Sequence, residues 1–192
     1  LTVVKVAPGK ERGHIQSLAA RGLRANFNLI ANAFATNDPL SSLQWHFPLV
    51  QSDQAWILST GTGVTVAVLD TGLTTGGDDG IGRVSAYGID IVNGDAYPAD
   101  GDGHGTHVSG TIAQNTNNNV GVAGLAYSAC IMPVKVLGDD GSGSFADIVD
   151  GIYYAVNNGA QVINMSLGTA ARYGLTNDPV FDDALDYAYE ND

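Results

Sequence analysis

The sequence predicts an α/β protein built on a doubly wound, mainly parallel sheet with helices on both faces. Four short segments, Val64–Leu69, Arg83–Ile91, Ile131–Leu137 and Gln161–Ser166, are largely apolar without a clean alternation, as strands covered on both faces are. Three others, His104–Ala113, Ser144–Asn157 and Pro179–Glu190, space their apolar residues at helical intervals. The two kinds of segment alternate along the chain, the order that generates a parallel sheet with crossover helices.

Taken in order, Leu1–Val6 alternates as a strand, Pro8-Gly9 turns, and Lys10–Ala20 places Ile15, Leu18 and Ala19 on one helical face before Gly22 stops it. A second extended piece runs to about Phe34. This β-α-β stretch has too little core to stand alone. Residues 1–36 hold Lys5, Lys10, Arg12, Arg21 and Arg24 against Glu11 alone, a balance of +4. Residues 37–192 hold Arg83, Lys135 and Arg172 against nineteen acids, a balance of −16. The change of sign falls at the turn signal Asn37-Asp38-Pro39, so a basic extension, 1–36, and an acidic body, 37–192, are expected to attract each other.

Composition excludes several roles. A net charge of −12 over 192 residues argues against a nucleic-acid partner, because such affinity comes from Lys and Arg displacing counterions. No apolar run approaches the length that crosses a bilayer. A single cysteine, Cys130, forms no internal disulfide and reads as a small buried hydrophobe.

Within the body the strand Val64–Leu69 runs straight into Asp70, which places a carboxylate at the carboxyl end of a buried strand, where open α/β sheets form their crevice. Such a group needs donors, and the backbone amides of Thr71 and Gly72 are at hand. In D-G-H-G-T-H-V-S-G-T, from Asp102 to Thr111, His104 stands between two glycines at the first turn of a helix. A helix N-terminus disfavours an imidazolium by about 0.3 to 1 kcal/mol, and a buried carboxylate on the other ring nitrogen more than offsets this. His104 and His107, with Asp102, also have the spacing for one metal, so a zinc hydrolase is the rival chemistry. The helix lacks the Glu such sites carry, and His107 reads better as a packed helix residue.

The strings V-A-V-L-D-T-G and G-H-G-T-H-V-S-G-T resemble the Asp and His blocks of the subtilisin-like serine proteases, and N-D-P-L-S-S-L-Q-W-H resembles the start of the mature thermitase-like branch. The resemblance implies a subtilisin-like fold and a secreted serine endopeptidase, with Asp70 orienting His104 and His104 serving as general base and acid. Polypeptide substrates would lie between Leu137 with Gly141, Ser142 and Gly143 on one side and Ser166, Leu167 and Gly168 on the other. The first of these walls is an edge strand in the family. Structural calcium is implied at Asp38, Asp79, Asn115, Asn118, Val120 and Val122, and at a second site of Asp90, Asn93 and Asp95. Residues 1–36 resemble part of an inhibitory pro-segment.

No G-T-S-M-A-like nucleophile block occurs in these residues. The resemblance places it, with the oxyanion Asn, beyond Asp192, so this chain alone is expected to be inactive and to need the other half of the same protease as partner. The alternative is a non-catalytic pseudoprotease or peptide-binding fragment. Keeping both Asp70 and His104 in full motif context counts against it.

Overall fold

A computed structural model describes residues 4–7, 9–25, 36–169 and 178–191. The chain divides into two compact units, Leu1–Phe34 and Ala35–Asp192.

In the first unit, helix α1 spans Glu11–Ala20. It ends in a Schellman turn: Gly22, at φ 73°, donates to the Ala19 carbonyl, and Leu23 donates to that of Leu18. Ile15 and Leu18 are only half-buried, and no residue of α1 is fully buried. Val4–Val6, the described part of the expected strand Leu1–Val6, has no strand structure; the rest of that strand and most of the second extended piece lie outside the described residues.

The second unit begins with two short helices, α2 (His46–Val50) and α3 (Ser52–Trp56), and is built on four parallel strands. These are β1 (Thr65–Asp70), β2 (Ile89–Asp90), β3 (Cys130–Lys135) and β4 (Val162–Asn164), ordered β2-β3-β1-β4. Three longer helices follow the expected segments: α4 (His104–Ala113), α5 (Phe145–Asn157) and α6 (Pro179–Glu190). Ser144 caps α5 by accepting from the Asp147 amide, and Asp178 caps α6 by accepting from Val180 and Phe181, with Pro179 just inside the helix.

The sheet separates two cores by the two-residue period of its strands. Ala67 and Leu69 of β1, with Met132 and Val134 of β3, pack under α5 and α6. Val66 and Val68, with Ile131, pack on the opposite face with Ala113 of α4. Leu69, Met132, Val134 and Ile152 are completely enclosed. Each such side chain contributes about 1.5–3 kcal/mol of transfer free energy.

Three expectations shift. The strand expected over Arg83–Ile91 is reduced to β2 and a single bridge from Val84 to Ile131. Pro133 is the cause. Ile131 and Lys135 bond towards that side of the sheet, so Pro133, between them, faces it without an N–H to give. In α6, Ala184 is enclosed and Phe181 and Ala188 pack on the core, but Val180 and Leu185 of the expected stripe are exposed. Cys130 is half-buried at the start of β3 rather than enclosed. No helix among the described residues is long and apolar enough to cross a membrane.

Candidate active site

Asp70 is the last residue of the central strand β1, and its even number puts its side chain on the α4 face with Val66 and Val68. It has no exposed surface. Its Oδ1 accepts from the Thr71 amide at 2.7 Å and lies 2.7 Å from His104 Nδ1; its Oδ2 has no partner among the described residues. The Gly72 amide makes no bond to it among the described contacts, so only Thr71 supplies the backbone donor expected at this turn.

His104 opens α4 with 48% of its side chain exposed. The pairing is close because residue 105 is glycine: any side chain there would run into the Gly72 carbonyl. The hydrogen bond to Asp70, and then the charge of that carboxylate, hold the imidazole pKa above its usual value of 6.5. One ring nitrogen is engaged by the acid, and the exposed ring is free to exchange a proton on the side of the cleft.

Asp100, not foreseen from sequence, organises this helix start. Gly103 occupies the cap position and has no side chain to offer. The Asp100 carboxylate serves instead, accepting from the amides of Asp102 (3.1 Å), Gly103 (2.8 Å) and Thr106 (2.9 Å) and from the hydroxyls of Thr106 (2.5 Å) and Thr71 (2.8 Å). Burial works to raise its pKa, but the donors of Thr106, Gly103 and Thr71 outweigh it and bring the value down to about 2. The Thr71 hydroxyl in turn accepts from the Gly105 amide at 2.9 Å, tying the acid turn to the helix that carries the base.

In front of the ring is a cleft of about 760 Å³. His104 shares it with Leu137, Gly141, Ser142 and Gly143 on one side and Ser166, Leu167 and Gly168 on the other, so all seven residues expected to contact a peptide meet in one place. Phe145, Ile148 and Phe181 add apolar lining that the sequence reading did not single out, although Phe145 and Ile148 share a face of α5 at the i, i+3 spacing. Gly141–Gly143 is a loop rather than the expected edge strand: Gly138 donates to the Ser142 carbonyl at 2.7 Å, turning the chain back on itself. His107 is exposed on α4 rather than packed.

The residues expected at the first calcium site are also drawn together. Asp38, which is buried, accepts from the amides of Asn117 (2.9 Å) and Asn118 (3.0 Å), while Asp79 accepts from Asn118 Nδ2 (3.1 Å) and the Val122 amide (3.0 Å). Asn115 donates to the Gly80 carbonyl, and the Val120 amide donates to Asn118 Oδ1. Two carboxylates around one Asn are a hard-oxygen set of the kind calcium takes. No group of three or more His, Cys, Asp or Glu side chains suited to a metal occurs among the described residues, so amide and carbonyl oxygens would have to complete the shell. At the second expected site, both Asp90 oxygens accept from Asn93 at 2.8 Å, and Asp95 Oδ1 accepts from the Tyr97 amide. Those carboxylates close their own loop.

Residues 61–191 match the model of the subtilase family. The chain is 42% identical over 144 residues to Thermitase of Thermoactinomyces vulgaris, covering 74% of this chain and 51% of that protein. It is 48% identical over 129 residues to Subtilisin Savinase of Lederbergia lenta, covering 67% and 46%. Among solved structures, a protease of Pseudoalteromonas arctica PAMC 21717 superposes with a TM-score of 0.72 at 34% identity, covering 81% of this chain and 56% of that one. A cold adapted subtilisin-like serine proteinase superposes at 0.58 with 33% identity, covering 70% and 45%. The chain spans about half the length of the curated relatives it matches.

Proposed function

The chain belongs to the subtilase family, and on that premise we propose that it carries the acid and the base of a secreted serine endopeptidase. One observation supports this most: a fully buried carboxylate 2.7 Å from an imidazole that opens onto a cleft. His104 takes the proton of a serine hydroxyl as that oxygen attacks the peptide carbonyl, then gives it to the departing amine. Asp70 accepts from Nδ1–H, which fixes the tautomer and stabilises the imidazolium formed in between. The extended substrate lies along Leu137 and Gly141–Gly143 on one side and Ser166–Gly168 on the other. These 192 residues contain no nucleophile block; on this reading the serine and the oxyanion donor are supplied by sequence outside them, and these residues alone are expected not to hydrolyse peptides.

The test is peptide hydrolysis by the full-length gene product, with and without a serine-directed sulfonyl fluoride. Complete block by the reagent, and loss of about 10⁶ in turnover on removing the nucleophile or His104, is the expected result. Hydrolysis indifferent to both overturns the reading.

Calcium held by Asp38, Asp79 and Asn118 with neighbouring carbonyls would neutralise two acids of a strongly acidic body and pin Asn37–Asp38 to the loop after α4. Metal at a hundred times its Kd stabilises by about 2.7 kcal/mol. Chelation should therefore lower Tm by several degrees, and Asp79→Asn should abolish the response; equal Tm with and without chelator removes calcium from the account. Residues 1–36 are proposed as a pro-segment-like partner of the body.

A further inference from the structure

Lys135 ends β3 with Asp70 in register on one side and Asp90 on the other. Registered side chains leave the same face of a parallel pair, so three ionisable residues form a row across the sheet, and all three are buried. An ammonium there would be expected to pair with one of its two flanking acids. It pairs with neither. The Asp90 oxygens are taken by Asn93, and Asp70 Oδ1 by His104 and Thr71. Lys135 Nζ instead donates to the Thr71 carbonyl at 2.6 Å and to Asp139 Oδ1 at 2.8 Å.

Both acceptors belong to the site. Thr71 aims its amide at Asp70 and its hydroxyl at Asp100, so the carbonyl bond to Lys135 fixes the remaining polar group of the turn that presents the acid. Asp139 stands in the loop whose Gly141–Gly143 part lines the cleft, and that loop is closed by the bond from Gly138 to Ser142. Its carboxylate also rests on Gly101, where any side chain would collide with it, so the same loop leans on the segment leading into α4. Burying an ammonium is costly, and here it spans the short gap between the turn that holds the acid and the wall of the cleft.

Resting on the reading of Asp70 and His104 as the catalytic pair, we propose that Lys135 is a positioning residue that couples the cleft wall at Gly138–Gly143 to the acid turn at Thr71. A peptide long enough to lie on the wall steadies Asp139, and through the ammonium it steadies Thr71 and Asp70. A short substrate that misses the wall gains nothing from this link.

The test compares a tetrapeptide anilide with a single-residue anilide on the full-length gene product carrying Lys135→Met, or Asp139→Asn, whose side chain is 69% exposed and so replaceable without loss of fold. Both variants should lower the ratio of the two kcat values, long over short, by at least about tenfold. Equal loss on both substrates, or no loss, overturns the proposal, because a merely structural role penalises the two alike. If the unaltered protein hydrolyses neither substrate, it is the peptidase reading that fails. The coupling is then decided by amide exchange in the 192-residue chain. Lys135→Met should speed exchange at Thr71 and Gly138 by about tenfold and leave α5 unchanged; no change, or equal acceleration throughout, overturns it.

Discussion

An imidazole serving as base must be neutral when substrate arrives, and His104 is biased the other way by the acid that orients it. Since kcat/KM reports the pKa of the free enzyme, its acid limb in the full-length gene product should have a midpoint above 6.5. Asp70→Asn removes both the hydrogen bond and the charge. The limb should move down in pH while kcat falls by about 10⁴, the cost of the wrong tautomer. A pH–rate profile of the two proteins decides it, and an unmoved limb would mean that His104 is not the titrating base. The sign for stability is opposite to that for activity. A raised folded pKa stabilises the native state below the unfolded value of 6.5 and loses that contribution as pH rises through the folded value. On the proposed reading, the protein thus gains a competent base over the pH range in which it gives up part of what the ion pair contributes to folding.

At the scale of elements, the His-bearing helix depends on a residue outside it. Asp100 supplies the cap that Gly103 lacks, and its pKa of about 2 against an ordinary 3.8 makes that cap a term in acid stability. The folded value is depressed, so the contribution is complete above about pH 4 and disappears as pH falls towards 2. Screening at this partly exposed site limits it to about 1–2 kcal/mol. Asp100→Asn should lower Tm at neutral pH and lose less on acidification than the unaltered protein; parallel Tm curves from pH 5 to 2 would show that the depressed pKa has no energetic consequence. Lys135 was not legible in the sequence, because its bond to Thr71 spans 64 positions that no local pattern records. Asp100 was hidden for another reason: its bonds to Asp102, Gly103 and Thr106 are local, but Gly103 holds the cap position where a capping side chain is sought. Asp70 and His104 were legible, since a strand ending in Asp and a glycine-flanked His at a helix start are local patterns. Pro133, which interrupts the ladder to β2, stood in plain view, but its effect depended on which neighbour its missing N–H would have faced.

For the whole molecule, the division of charge makes a claim independent of the catalytic reading. Five cations and one acid in residues 1–36, against three cations and nineteen acids in the remainder, give two parts of opposite sign. Of these charges only Glu11 and Arg12 stand on helix α1, with Lys10 and Arg21 at its two ends, and the opposite net signs of the two parts are expected to attract. Such attraction is screened over about 10 Å at 0.1 M salt and about 3 Å at 1 M. After cleavage near Asn37, peptide 1–36 added back to the body should bind at low ionic strength and weaken by at least about tenfold when salt is raised across that range. Titration calorimetry at the two salt concentrations measures this directly. Binding that is indifferent to salt would mean that apolar surface joins the two parts, in which case the exposed face of α1, with Ile15 and Leu18 only half-covered, becomes the place to look for the contact. Loss of binding after reversing Lys10 and Arg12 to Glu would instead locate the attraction at the start of that helix, where each reversal replaces a favourable long-range interaction with an unfavourable one.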